Sequence, residues 1–172
     1  YRFPKKLTGE ESPLRYLGES KGRVAALLVV HQLGLPCDLK ALTTLARKFQ
    51  LPVVEDAACA AGSEVSFNNG KTWERIGKPH GDVACFSFHP RKILTTGDGG
   101  MLTTNRAEYD QQFRILRHQG MSVADLTRHS ARKVIFEEYV TTAFNYRMTD
   151  IQAAVGIEQL KKLPKMIRER RR

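Results

Sequence analysis

Two apolar runs of strand length flank an amphipathic segment, and this arrangement constrains the chain more than any other feature. "RVAALLVVH" (23–31) is continuously apolar, as expected of a strand buried on both faces. "GLPCD" then supplies a turn, with Asp38 placed to cap a helix. Leu39, Leu42, Leu45, Ala46 and Phe49 follow at helical spacing on one face. "LPVVEDA" (51–57) is the next strand. A strand, a helix and a strand within about 30 residues form a βαβ unit, which requires a parallel pair and a right-handed crossover. The predicted class is α/β, with a mostly parallel sheet flanked by helices.

The remaining segments extend that pattern. Residues 1–22 are rich in Pro, Gly, Lys and Glu and read as irregular. "SEVSFNNGKTWERI" places two runs around Asn68, Asn69 and Gly70, a hairpin signature. "DVACFSF" (82–88) and "GMLTTN" (100–105) are further strands, separated by a turn through Gly97, Asp98, Gly99 and Gly100. Residues 106–118 read as helical and 119–149 as mixed. "TDIQAAVGIEQLKKL" opens a helix capped by Thr149 or Asp150.

A chain of 172 residues that is 41% hydrophobic builds one globular domain rather than a disordered segment. It begins at Tyr1 rather than Met and stops inside "MIRERRR", which reads as a piece of a longer protein. Its formal charge of +10 owes much to the terminal run "KKLPKMIRERRR". No aromatic residue interleaves that run to stack bases, so it reads as the solvated face of a helix rather than a nucleic-acid site. Cys37, Cys59 and Cys85 are odd in number and lack C-x-x-C spacing, and the histidines lack H-x-x-x-H pairing. This excludes a disulfide framework and a structural zinc site, and no metal is expected. No apolar run approaches the roughly 18 residues of a membrane span, and no signal peptide is visible. The expected setting is cytoplasmic.

Three residues could carry chemistry. Asp56 ends an apolar strand, where ligands of α/β sheets gather; capping a helix over "AACAAG" is an equal alternative. Ser87 ends another strand, where a hydroxyl commonly bonds local backbone. Lys92 lies just beyond, in "FSFHPRKILTTGDGG" (86–100). The "TTGDGG" turn could cradle an anion with its N–H groups or be a tight turn with left-handed glycines. It matches neither G-x-G-x-x-G nor G-x-x-x-x-G-K-[ST]. Together, an amine, a carboxylate and a hydroxyl at one sheet edge are what pyridoxal phosphate (PLP) needs: a Schiff-base partner, a partner for the pyridinium nitrogen and a phosphate ligand.

"PCDLKALTTLARKFQLPVVEDAACAAG", "GDVACFSFHPRKILTTGDGGMLTTN" and "FNYRMTDIQAAVGIEQLKKL" closely resemble the DegT/DnrJ/EryC1/StrS family of sugar aminotransferases. The resemblance runs from about residue 24 to the end, with the motifs in order. It implies fold type I, the aspartate aminotransferase-like architecture of PLP-dependent transferases, and transfer of an amino group from glutamate to a keto group of a nucleotide-linked sugar. Residue by residue, it makes Lys92 the Schiff-base lysine, Asp56 the pyridinium partner and Ser87 a phosphate ligand. Asn145, with Arg147 beside it, falls where the family reaches across a homodimer interface to the phosphate of the neighbouring subunit.

Residues 1–172 would then be part of the PLP-binding large domain. Within it, 23–149 would hold the sheet and active-site loops, and 150–172 would begin the helix leading to the small domain. One departure is Cys59, where the family often has Gln or His near the cofactor ring. Relatives that dehydrate sugars carry histidine in place of the lysine, so Lys92 favours transamination. A sugar dehydratase, a cyclic-ketone aminotransferase and a non-catalytic regulatory relative are the alternatives on this scaffold.

Overall fold

The computed structural model describes residues 24–123, 136 and 138–172. In chain order the elements are β1 (Leu27–Val30), α1 (Leu39–Lys48), β2 (Val53–Asp56), β3 (Glu64–Val65), β4 (Glu74–Arg75), β5 (Val83–Ser87), β6 (Gly100–Thr103), α2 (Ala107–Leu116) and α3 (Asp150–Arg170). The main sheet has the order β1-β2-β5-β6. Its first three strands are parallel, and β6 pairs antiparallel with β5 at the edge. The architecture is therefore the expected α/β one with a mostly parallel sheet. The predicted hairpin is present as the antiparallel pair β3–β4, with Asn69 (φ 58°) and Gly70 (φ 83°) in its turn.

Register decides which side chains share a face. Val29 aligns with Glu55, which aligns with Ala84 and, through it, Thr103. This face, with Val53, packs on Leu39 and Ala46 of α1 to form the core. Burying each large aliphatic side chain there contributes about 1.5–3 kcal/mol. One position along, Val30, Asp56, Cys85 and Leu102 align on the opposite face.

That second face corrects one expectation. β1 is not buried on both sides, since Leu28 is 65% and Val30 45% exposed while Val29 is 4% exposed. Helix α1 packs on one side of β1, while Leu28 and Val30 on the other remain largely exposed. The α1 stripe also differs from the predicted one. Asp38 Oδ1 accepts from the Ala41 N–H at 3.1 Å, as expected of the cap. The buried positions, however, are Leu39, Thr43 and Ala46, while Leu45 and Phe49 are exposed. At 100° per residue Leu45 lies about 120° round from Leu39, outside the stripe facing the sheet. Thr43 sits inside it because its hydroxyl donates to the Leu39 carbonyl at 2.7 Å, so burial leaves no unpaired polar group.

The alternative at the last helix is also resolved. Thr149 caps α3 through a reciprocal box, its hydroxyl accepting the Gln152 N–H while Gln152 Oε1 accepts the Thr149 N–H. Far along α3, Ile167 packs on Gly62, whose φ of +89° and missing Cβ allow the close approach. Arg171, at the end of α3, pairs with Glu64 at 3.0 Å. Among the described residues, no helix is long and apolar enough to cross a membrane, and no group of acidic, His and Cys side chains could hold a metal.

Candidate functional site

The carboxyl ends of β2 and β5 and the start of β6 meet at one edge of the sheet. Asp56 aligns with Cys85, and Ser87 lies two residues further along the same strand, so period-2 alternation puts Asp56 and Ser87 on the same, sparsely covered face. Asp56 does not cap a helix, because "AACAAG" forms turns. Its Oδ1 accepts the Ala58 N–H at 3.0 Å, which fixes the carboxylate at the strand end. Among the described residues its Oδ2 has no hydrogen-bond partner. Ser87 Oγ accepts the His89 N–H at 3.3 Å, leaving its own proton to donate elsewhere.

Lys92 lies in the loop after β5. Its N–H donates to the His89 carbonyl at 2.9 Å, which closes a turn. Its side chain reaches to the loop after β2, where Nζ donates to Cys59 Sγ at 3.1 Å. Cys59 is three residues beyond Asp56, so this contact brings the amine to the strand end that carries the carboxylate. A cleft of about 320 Å³ opens beside the pair, lined by Cys59, Gly62, Arg91, Lys92, Ile167 and Arg170 among others. Its wall is strongly basic, and Glu64 next to it is engaged by Arg171.

The "TTGDGG" turn resolves in favour of a tight turn. The Gly97 N–H is taken by Thr95 Oγ1 at 3.0 Å and the Gly99 N–H by Asp98 Oδ1 at 2.9 Å, so neither is free to cradle an anion. Gly97 and Gly99 have φ of 85° and 146°. The turn docks on α3 through Gln152 Nε2, which donates to the Asp98 carbonyl at 3.1 Å. The lysine loop is thus anchored at the amino end of α3.

Asn145 stands apart. Its Oδ1 accepts the Arg147 N–H at 3.3 Å, its backbone bridges to His118, and Arg147 also pairs with His118. Among the described residues no hydrogen bond links Asn145 to Asp56, Ser87 or Lys92. Around it, Phe144 and Tyr146 stack at 5.5 Å between centroids while remaining 63% and 73% exposed.

Beneath the site lies a buried network that the sequence reading missed. His31 and Glu55 are fully buried, with His31 Nε2 and Glu55 Oε2 3.0 Å apart. His31 Nδ1 accepts the Cys37 N–H, so the proton is on Nε2, which donates to the carboxylate. Glu55 Oε1 accepts the Gly81 N–H at 2.6 Å. The network ties the end of β1, the entry to α1, the middle of β2 and the approach to β5. Period-2 reading of "VVED" held the signal: Glu55 shares the core face with Val53, where a carboxylate requires a buried partner.

The same environment acts on two cysteines. Burial pushes the Cys37 thiol above its ordinary value, with Glu55 adding to the effect. Burial does the same to Cys85, with Asp56 and then Glu55 adding. Cys59 is the exposed cysteine of the three. A larger cleft of about 660 Å³ opens at the amino ends of β2 and β5, among His80, Asp82 and Arg106. Its aspartate is engaged structurally, accepting the Val53 N–H at 2.7 Å and Arg106 Nε at 2.6 Å.

The residues present fit PLP. Asp56 keeps a carboxylate oxygen available, Ser87 keeps a hydroxyl proton, and Lys92 presents an amine to a cleft lined by the loop that follows Asp56. Comparison with known proteins bears on the same region. The model of the DegT/DnrJ/EryC1/StrS aminotransferase family matches residues 19–172. GDP-perosamine synthase of Caulobacter vibrioides is 39% identical over 87% of this chain and 36% of its own length. Helicobacter pylori PseC, an aminotransferase involved in the biosynthesis of pseudoaminic acid, superposes with a TM-score of 0.69 at 28% identity, covering 83% of this chain and 34% of its own. Spr1654 of Streptococcus pneumoniae, solved in its PMP-form, gives a TM-score of 0.72 at 25% identity over 86% of this chain and 40% of its own. The chain thus spans little more than a third of the length of these relatives. With its core strands, its lysine loop and its capped helix all inside the matched region, the chain belongs to the DegT/DnrJ/EryC1/StrS aminotransferase family.

Proposed function

We propose that the protein carrying this chain transfers an amino group from glutamate to the keto group of a nucleotide-linked sugar, and that the chain is part of its PLP-binding large domain. The observation that supports the reading is the reach of Lys92 to the loop after β2, on the side of the sheet where the strands of Asp56 and Ser87 end. The named relatives support the sugar as substrate class.

PLP, when bound, supplies an electron sink conjugated to the carbon that gains or loses the amino group. Lys92 would hold it covalently through Nζ and, once displaced by the incoming amine, move a proton on and off the substrate carbon as general base and acid. Asp56 would keep the ring nitrogen protonated, a role suited to a carboxylate fixed on one oxygen and available on the other. Ser87 would donate its hydroxyl proton to the phosphate. Asn145 lies outside this constellation in its own chain, and it would complete the phosphate site of a second copy in a homodimer. The exposed Phe144–Tyr146 stack beside it supports that placement, since apolar surface of this kind is commonly covered by a partner.

The test is a product assay on the full-length protein with glutamate and a panel of nucleotide ketosugars. An aminosugar and 2-oxoglutarate formed in equal amounts is the expected outcome. PLP binding without amination of any nucleotide-linked ketosugar, or water loss from the sugar without amination, would overturn the proposal.

A further inference from the structure

The Lys92–Cys59 contact joins the amine that the proposed chemistry uses to a sulfur that it does not. Cys59 Sγ accepts from Nζ at 3.1 Å, and Cys59 is exposed on the wall of the cleft, so a small oxidant can reach it. The other two cysteines are half-buried and held towards the unreactive thiol form. Both partners are positioned by fixed turns. The Lys92 N–H is held by His89, while the Ala60 N–H donates to the Ala57 carbonyl at 2.8 Å around Cys59. The four-carbon stem of lysine gives Nζ the freedom to close the remaining gap.

We propose that Cys59 and Lys92 form a peroxide-responsive pair in which oxidation of the sulfur caps the lysine through a reversible sulfur–nitrogen bond. A hydroperoxide first transfers oxygen to the thiol, giving a sulfenic acid and water: Cys–SH + H₂O₂ → Cys–SOH + H₂O. The neutral Lys92 amine then attacks that sulfur. The S–N bond forms, the S–O bond breaks, and the hydroxyl leaves as water with one amine proton: Lys–NH₂ + HO–S–Cys → Lys–NH–S–Cys + H₂O. The sulfur is oxidised by two electrons and the peroxide is reduced by two. Two equivalents of a small thiol return free Lys92 and Cys59 and leave a disulfide of the small thiol. The bond itself requires only the contact seen here. Its consequence, that oxidation sets the fraction of protein able to accept PLP, rests on the proposed role of Lys92.

The experiment uses full-length protein stripped of PLP, treated with hydrogen peroxide and digested without reductant. Peptide mapping should find the Cys59 and Lys92 peptides joined, with a mass two hydrogens below their sum, and thiol should separate them. PLP uptake, followed by visible absorbance, should fall by the fraction joined and return on thiol treatment. Cys59→Ser should give no joined peptide and a PLP uptake indifferent to peroxide. Protein loaded with PLP before peroxide should resist joining. Cys59 carrying oxygen that dimedone traps while Lys92 stays unmodified, or Cys59 joined to another cysteine, would overturn the inference. Joining that proceeds equally with PLP bound would instead leave this pair standing and remove Lys92 as the attachment point.

Discussion

Replacing Glu55 is the perturbation whose cost the structure defines best. Its carboxylate is fully buried and accepts from His31 Nε2 at 3.0 Å and from the Gly81 N–H at 2.6 Å. Glu55→Ala would leave the buried His31 donor and the half-buried Gly81 N–H without acceptors, and each such group costs up to about 1–3 kcal/mol. The expected destabilisation is therefore about 2–6 kcal/mol, a large share of the roughly 5–15 kcal/mol that holds a typical domain together. Glu55→Gln keeps one acceptor oxygen and should cost about half as much, near 1–3 kcal/mol. His31→Phe leaves the buried Glu55 side chain short of one donor, a loss of about 1–3 kcal/mol. The assay is urea unfolding of the full-length protein and the three variants, followed by both circular dichroism and fluorescence. A Glu55→Ala unfolding free energy within about 1 kcal/mol of the parent, or an equal loss in Glu55→Ala and Glu55→Gln, would refute the accounting of two orphaned donors.

Other outcomes follow from the site and its supports. Asp56→Ala should slow the half-reaction with glutamate by orders of magnitude while PLP still attaches to Lys92; an unchanged rate in stopped-flow absorbance would reduce Asp56 to the turn contact it makes with Ala58. Inactive Lys92→Ala and Asn145→Ala proteins, refolded together, should recover part of the activity, because some mixed dimers hold one site with both residues intact; no recovery despite proven mixed dimers would exclude a shared site. Gly62→Ala puts a methyl group into Ile167 at a φ of +89° and should cost about 1–3 kcal/mol in unfolding experiments, with Ile167→Ala restoring part of it if the clash is the cause.

Legibility differed sharply between local and non-local features. The βαβ unit, the Asp38 and Thr149 caps and the Asn69-Gly70 hairpin were readable because each is encoded within a few neighbouring residues. The both-sides burial predicted for β1 was not, since an apolar run does not tell which packing partners will cover it. Leu45 and Phe49 misled for a related reason: helical spacing defines a stripe, and the sheet selects which part of it is buried. Asp56 and Ser87 were legible as strand-end residues, and their shared face followed from the parallel pairing of β2 with β5. The Cys59–Lys92 contact spans 33 positions and the His31–Glu55 pair 24, so neither leaves a local pattern. Only the odd placement of a glutamate on a core-facing register pointed towards the second.

The central claim is that Lys92 is the group through which the protein holds PLP, and one measurement addresses it directly. Full-length protein is loaded with PLP, reduced with borohydride to make the attachment permanent, digested and mapped by mass spectrometry. The account predicts a pyridoxyl group on Lys92 alone, with its fluorescence lost in Lys92→Ala. A pyridoxyl group on Lys71 or Lys78 with Lys92 unmodified would contradict it.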